Sequence, residues 1–241
     1  QMCIRDRNLF VLVNLVVLTC IYLWAARRVS TSWPPGSTLA FIGSMTALAL
    51  AYLGPFGAWA HEALWAHMGQ HLLVLMVAGP LFVLSSPVRL LFLNLGAVGR
   101  RRLIQILRSR VVSCLTNPYF GWSFFALTLL GTHTQWVMNW VLLDHDAMEF
   151  IIRPTYLVAA FIFYYPLIGC DLIARRPAPT VRLVSLLLMM IPETVLGIIL
   201  HLAPIPLYWP YEVTASAYGL DAMADQKFAG ALMWALAMVL D

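Results

Sequence analysis

The residues with chemistry to offer in this chain are its six histidines, His61, His67, His71, His133, His145 and His201, set in an otherwise apolar sequence. His67 and His71 are four residues apart. A helix turns by about 100° per residue, so at that spacing both imidazoles project from one face and can bind a single ion. Gln70 lies close enough to orient one of the rings through a hydrogen bond. The competing reading is a pair of interfacial histidines with polar tips at the headgroup level. A third imidazole, His133, falls on a different apolar run at a similar depth and favours the metal reading. Imidazole suits zinc and copper, and thioether ligands favour Cu(I). Met68, Met138, Met148 and Met223 lie on the same side as the histidines and no cysteine does, so the set points to copper, with zinc as the alternative. The ligand set expected is His67, His71, His133 and Met68, although methionine is also an ordinary filler of apolar cores.

These residues need helices to position them, and the composition supplies apolar ones. Of 241 residues, 61% are hydrophobic and 11% charged, against about 25% charged in an ordinary soluble domain. That balance excludes a soluble globular enzyme and a disordered chain. Spanning helices need about 20 apolar residues each, and hydropathy places them at 9–26, 37–56, 65–84, 119–137, 151–169, 181–203 and 222–240. The expected fold is all-α: a polytopic, seven-transmembrane-helix bundle filling 1–241 as a single transmembrane domain. Proline-rich and serine-rich turns such as Trp33-Pro34-Pro35-Gly36, Ser85-Ser86-Pro87 and Arg176-Pro177-Ala178-Pro179 separate the spans.

Seven spans put alternate loops on opposite sides. Arg27, Arg28, Arg89, Arg100, Arg101, Arg102, Arg108, Arg110, Arg175, Arg176 and Arg182 share one face, whereas Arg5, Arg7, Arg153 and Lys227 share the other. The arginine-rich face is expected to be cytoplasmic, which puts the N-terminus outside. All six histidines then fall on the outward side. The net charge of +4 is accounted for by orientation signals and calls for no nucleic acid partner. Between Arg100 and Val112 basic and apolar residues interleave at helical spacing, as in a helix lying on lipid headgroups. The four scattered cysteines form no CxxC pair. The chain opens at Gln1 and stops at Asp241 directly after an apolar run, so truncation at both ends is expected.

Asp225 and Gln226 stand in the first turns of the last span, where Asp225 suits a metal ligand, a group orienting a histidine, or a helix cap. Glu149 is four residues before Arg153 and is expected to pair with it. Glu193, beside Pro192, sits in mid-span, where an ionised carboxylate is costly.

His67-Met68-Gly69-Gln70-His71-Leu72-Leu73, Ala78-Gly79-Pro80, Ser86-Pro87-Val88-Arg89, Phe163-Tyr164-Tyr165-Pro166-Leu167, Ala203-Pro204-Ile205-Pro206-Leu207-Tyr208 and Ala224-Asp225-Gln226-Lys227-Phe228-Ala229-Gly230-Ala231-Leu232-Met233-Trp234 together resemble the membrane-integral CtaG-type cytochrome c oxidase assembly factors, those associated with caa-type oxidases. The likeness runs from about residue 37 to the C-terminus. It implies a non-enzymatic, multi-pass protein of the bacterial plasma (inner) membrane that serves maturation of a haem–copper oxidase at the copper-insertion stage. Its implied partners are membrane lipids and an oxidase subunit or copper donor protein. Departures are Asp146-Ala147-Met148-Glu149-Phe150, where the family carries an HxxEH element, and Gln135, where it often has proline.

Two other functions compete. A seven-span zinc-dependent membrane hydrolase also gathers histidines and acids at one membrane face, but His61-Glu62-Ala63-Leu64-Trp65 begins like HExxH and lacks the second histidine. A haem-binding cytochrome would use His71 and His133 as axial ligands.

Overall fold

The computed structural model describes residues 4–29 and 33–240, which are mostly helical, with no strand among them. In chain order the helices are α1 (Ile4–Arg28), α2 (Pro35–Tyr52), α3 (Pro55–Trp59), α4 (Leu64–Leu72), α5 (Gly79–Leu84), α6 (Pro87–Asn94), α7 (Ala97–Leu107) and α8 (Arg110–Leu115). They continue as α9 (Pro118–Thr132), α10 (Gln135–Leu143), α11 (His145–Ala147), α12 (Arg153–Leu167), α13 (Pro179–Leu202), α14 (Trp209–Ala217) and α15 (Ala222–Leu240). Two π-helical stretches, Leu73–Ala78 and Met148–Ile152, lead directly into α5 and α12.

Prolines write many of these boundaries. Pro35, Pro55, Pro80, Pro87, Pro118, Pro154, Pro179 and Pro210 all stand in the first turn of a helix, where the missing N–H costs nothing and the fixed φ suits the helix. At Pro80 and Pro154 the chain is already helical upstream, so the proline ring would meet the carbonyl four residues earlier. The turn widens instead: the Gly79 N–H bonds to the Val74 carbonyl and the Arg153 N–H to the Met148 carbonyl, both five residues back.

Asn8–Arg28, Pro35–Trp59, Leu64–Asn94, Met148–Leu167 and Pro179–Leu202 are long and apolar enough to cross a membrane. The exterior agrees: Leu12, Val16, Leu127, Leu187 and Ile199 are exposed, whereas His67, Gln70, His71, His133, Arg153 and Gln226 are buried. Apolar outside and polar inside is the arrangement a lipid solvent selects. The expected continuous helix over 119–137 is corrected. α9 stops at Thr132, and α10 starts afresh at Gln135. Side chains end α9 by taking its last carbonyls: Thr132 Oγ1 donates to Thr128, His133 Nδ1 to Leu129 and Thr134 Oγ1 to Gly131.

Packing is closest between α13 and α15. A Cβ at Gly230 would lie 2.6 Å from the Gly197 carbonyl oxygen and 2.7 Å from the His201 nitrogen, so the two backbones touch and only glycine fits. α15 also packs on α4, and α9 on α12. α1 is the most lipid-exposed of the long helices. It is fastened by Tyr22, which stacks on Phe41 at 3.8 Å between centroids and donates to the Ser85 carbonyl at 2.8 Å.

Candidate metal centre

α4 carries His67 and His71, yet its N-terminus has no capping side chain of its own, because the cap position is Ala63. Asp225 supplies the cap from α15. Its carboxylate accepts from the Leu64 N–H at 2.7 Å and the Trp65 N–H at 3.2 Å. A carboxylate there satisfies two orphan donors and complements the helix dipole. The neighbouring Gln226 is buried and does a parallel task. It accepts from the Leu207 N–H at 2.7 Å and donates to the carbonyls of Leu200 and Ile205. That fixes the turn leading to Tyr208, whose hydroxyl donates to the His133 carbonyl at 2.7 Å.

The three imidazoles meet at this end of the bundle. One nitrogen from each of His67, His71 and His133 lies within 4.8 Å of the other two, and all three residues are buried. Nε2 of His67 and Nε2 of His71 are 2.8 Å apart. Two imidazole nitrogens on one ion, each at about 2.0–2.1 Å from it, sit roughly 3.3 Å from each other, so the observed separations bracket a coordinating arrangement. His133 Nδ1 donates to the Leu129 carbonyl at 2.7 Å, which fixes the tautomer and leaves the lone pair on Nε2. That Nε2 is buried with no hydrogen-bond partner among the described residues. A buried acceptor without a partner is costly, and an ion is the partner that this donor set fits.

Aromatic rings hold the cluster from the sides. Tyr156 stacks on His71 at 4.2 Å, and its hydroxyl shares a 2.5 Å hydrogen bond with Thr132 Oγ1. Tyr211 approaches His67 at 6.3 Å and donates to the Ala60 carbonyl at 2.6 Å. Burial pushes the Tyr211 phenol well above its ordinary pKa, which keeps it a donor. Thr214 Oγ1 donates to the Glu62 carbonyl, so α14 is clasped onto the segment preceding α4.

A small cavity opens beside His67 and His71, lined also by Tyr52, Gln70, Val74, Met148, Ile152, Arg153 and Tyr156. Both π-helical stretches contribute to it, through Val74 and through Met148 and Ile152. Widened turns are found disproportionately at functional sites. Arg153 lies over the Tyr52 ring at 4.6 Å and pairs with Glu149, as the spacing predicts.

The structure therefore brings together His67, His71 and His133. Met68 is fully buried in the apolar core, and the thioether that lines the cavity belongs to Met148. Gln70 lines the cavity too, with its amide donating to the Ala51 carbonyl at 2.8 Å. Of the three roles open to Asp225, the observed hydrogen bonds are those of a cap. His201 is bonded to the Lys227 carbonyl, and the His145 side chain lies outside the described residues. Sequence reasoning passed over Tyr156, Tyr208, Tyr211 and the cavity-facing position of Arg153. Only Arg153 carried a signal, as a basic residue at the start of an apolar span. Trp65 stands where HExxH needs its second histidine, and its N–H goes to Asp225. The His71 and His133 rings approach to 5.0 Å at 73°, which leaves no slot for a porphyrin between them.

An all-helical fold of apolar spans around buried imidazoles defines an integral membrane protein with a candidate metal centre. The sequence profile of the cytochrome c oxidase caa3 assembly factor family (Caa3_CtaG) matches residues 20–241, and the chain belongs to that family. Among curated proteins it is similar to uncharacterized proteins of Mycobacterium bovis and Mycobacterium tuberculosis. Each is 26% identical over 221 residues, covering 88% of this chain and 33% of the relative. A third, from Mycobacterium leprae, is 25% identical over 217 residues, covering 86% of this chain and 33% of its own length. The chain thus spans about a third of the relatives it matches. No solved structure matches it.

Proposed function

We propose that this chain holds one copper ion as cargo at His67, His71 and His133 during assembly of a haem–copper oxidase, with an oxidase subunit or a copper donor protein as its exchange partner. Family membership supports the oxidase context. The observation that carries the copper assignment is the convergence of three buried imidazoles, one of them with an Nε2 that has no partner among the described residues. Neutral imidazoles with neither thiolate nor carboxylate among them suit copper, and Met148 offers a soft sulfur at the cavity wall. Under this reading Asp225 supports the ligands by capping α4, Gln70 by joining α4 to α2 at the Ala51 carbonyl, and Met68 through packing.

The chain works as a carrier and not as a catalyst. In the membrane it forms seven spans with the N-terminus outside, α9 and α15 supplying the two beyond the five long apolar stretches. The arginine count then puts the metal centre beneath the extracytoplasmic headgroups of the bacterial plasma membrane. His133 is held in one tautomer by Leu129, and its lone pair stays available without a prior proton loss.

The test is the metal content of the purified full chain. The wild type is expected to hold about one copper per chain, and His67→Ala combined with His71→Ala is expected to abolish it. Copper content unchanged in the double variant overturns the assignment.

A further inference from the structure

The cavity wall beside the imidazoles carries a charge that copper binding by itself does not require. The Arg153 side chain is buried, lies over the Tyr52 ring at 4.6 Å and lines the cavity together with His67 and His71. Its ion-pair partner Glu149, one turn earlier, is not part of that lining. The cavity wall that His67 and His71 share thus includes the guanidinium and not the Glu149 carboxylate.

We infer that Arg153 is a specificity-determining residue that admits a monovalent soft cation and turns away a divalent one. This rests on the metal reading of the histidine cluster and adds the charge of the cargo. Repulsion between the guanidinium and a bound ion scales with the ion's charge, so it is twice as large for Zn(II) as for Cu(I), and it is screened little in a buried site. Three neutral imidazoles bring no negative charge to offset the second positive one. The ion pair has a second effect. It keeps the Glu149 carboxylate, a hard oxygen ligand suited to divalent ions, engaged away from the cluster.

The experiment measures the affinities of the purified full chain for Cu(I) alone, under reducing conditions, and for Zn(II) alone, each by competition with a chromophoric chelator. Arg153→Gln is expected to shift the affinity ratio toward Zn(II) by about tenfold or more, because a positive charge is removed from the cavity wall. Glu149→Gln, which removes the negative charge paired with the guanidinium, is expected to shift it the opposite way. Arg153→Lys keeps the charge and is expected to keep the wild-type ratio. Retained Cu(I) binding reports that each variant is folded, and Glu149→Gln with Arg153→Lys still decide the matter if Arg153→Gln does not fold. A ratio unmoved in the glutamine variants, or moved in the same direction by both, overturns the inference while leaving the metal site standing. A wild-type chain that binds neither ion overturns the metal reading and this inference together.

Discussion

The stretch Leu64–Asn94 contains two helix starts that lack a capping side chain of their own, and both are capped by an aspartate from far away in sequence. At α4 the donor is Asp225, on the N–H groups of Leu64 and Trp65. At α6 it is Asp171, on those of Val88 and Arg89. Here Ser86 adopts a left-handed φ of 53° just before Pro87. The device is the same and the surroundings differ. The Asp225-capped helix carries His67 and His71 into the buried cluster, whereas the Asp171-capped helix carries Arg89 and lies beside the connection that follows α12. A remote cap is therefore a way of locking this stretch to its neighbours, and under the proposed function it matters for metal binding only at α4.

Moving α15 bodily should break the comparison most severely. Gly230→Val places side-chain atoms where the Gly197 backbone now lies, so α15 must shift and take Asp225 with it. The expected result is loss of copper from the purified chain, with a marked drop in yield of folded protein in detergent as read by size-exclusion chromatography. Removing the caps individually sharpens the contrast. Asp225→Ala is expected to weaken copper affinity by about 10–100-fold and stability by about 1 kcal/mol, measured by chelator competition and by denaturant titration. Asp171→Ala is expected to cost a similar ~1 kcal/mol of stability and leave copper affinity unchanged. Equal copper loss in both variants would show that the two ends are not functionally distinct. The smallest effect is expected from Tyr211→Phe, which deletes the hydrogen bond to Ala60. It should lower stability by about 1 kcal/mol and change copper affinity little, because the phenol touches the ligand helix through packing alone.

Much of this was legible in the sequence, and the reasons for what was not are physical. Apolar runs announce themselves because lipid demands about 20 such residues, and the five long stretches fall within a few residues of their expected places apart from the third, which runs on to Asn94. The His67–His71 pair was legible because helical spacing is a local property. The break after α9 was hidden, since Thr132, His133 and Thr134 end the helix with side-chain hydrogen bonds that hydropathy ignores. The service of Asp225 to α4 depends on contact across about 160 positions, which no local pattern encodes. Arg153 read as an orientation charge because sequence cannot show which way a buried guanidinium faces. Met68 stood beside the histidines in sequence, but the fold gives the cavity wall to Met148.

The widened turn at Leu73–Ala78 amounts to an extra residue spliced into a helix that must serve two neighbours. Upstream it aims imidazoles at His133. Downstream it aims Gly79 at Ala160, where an added Cβ would come within 2.7 Å. Deleting one residue there would restore ordinary pitch but rotate one half against the other by about 100°, so that a single helix phase could satisfy the histidine cluster or the contact with α12, and not both.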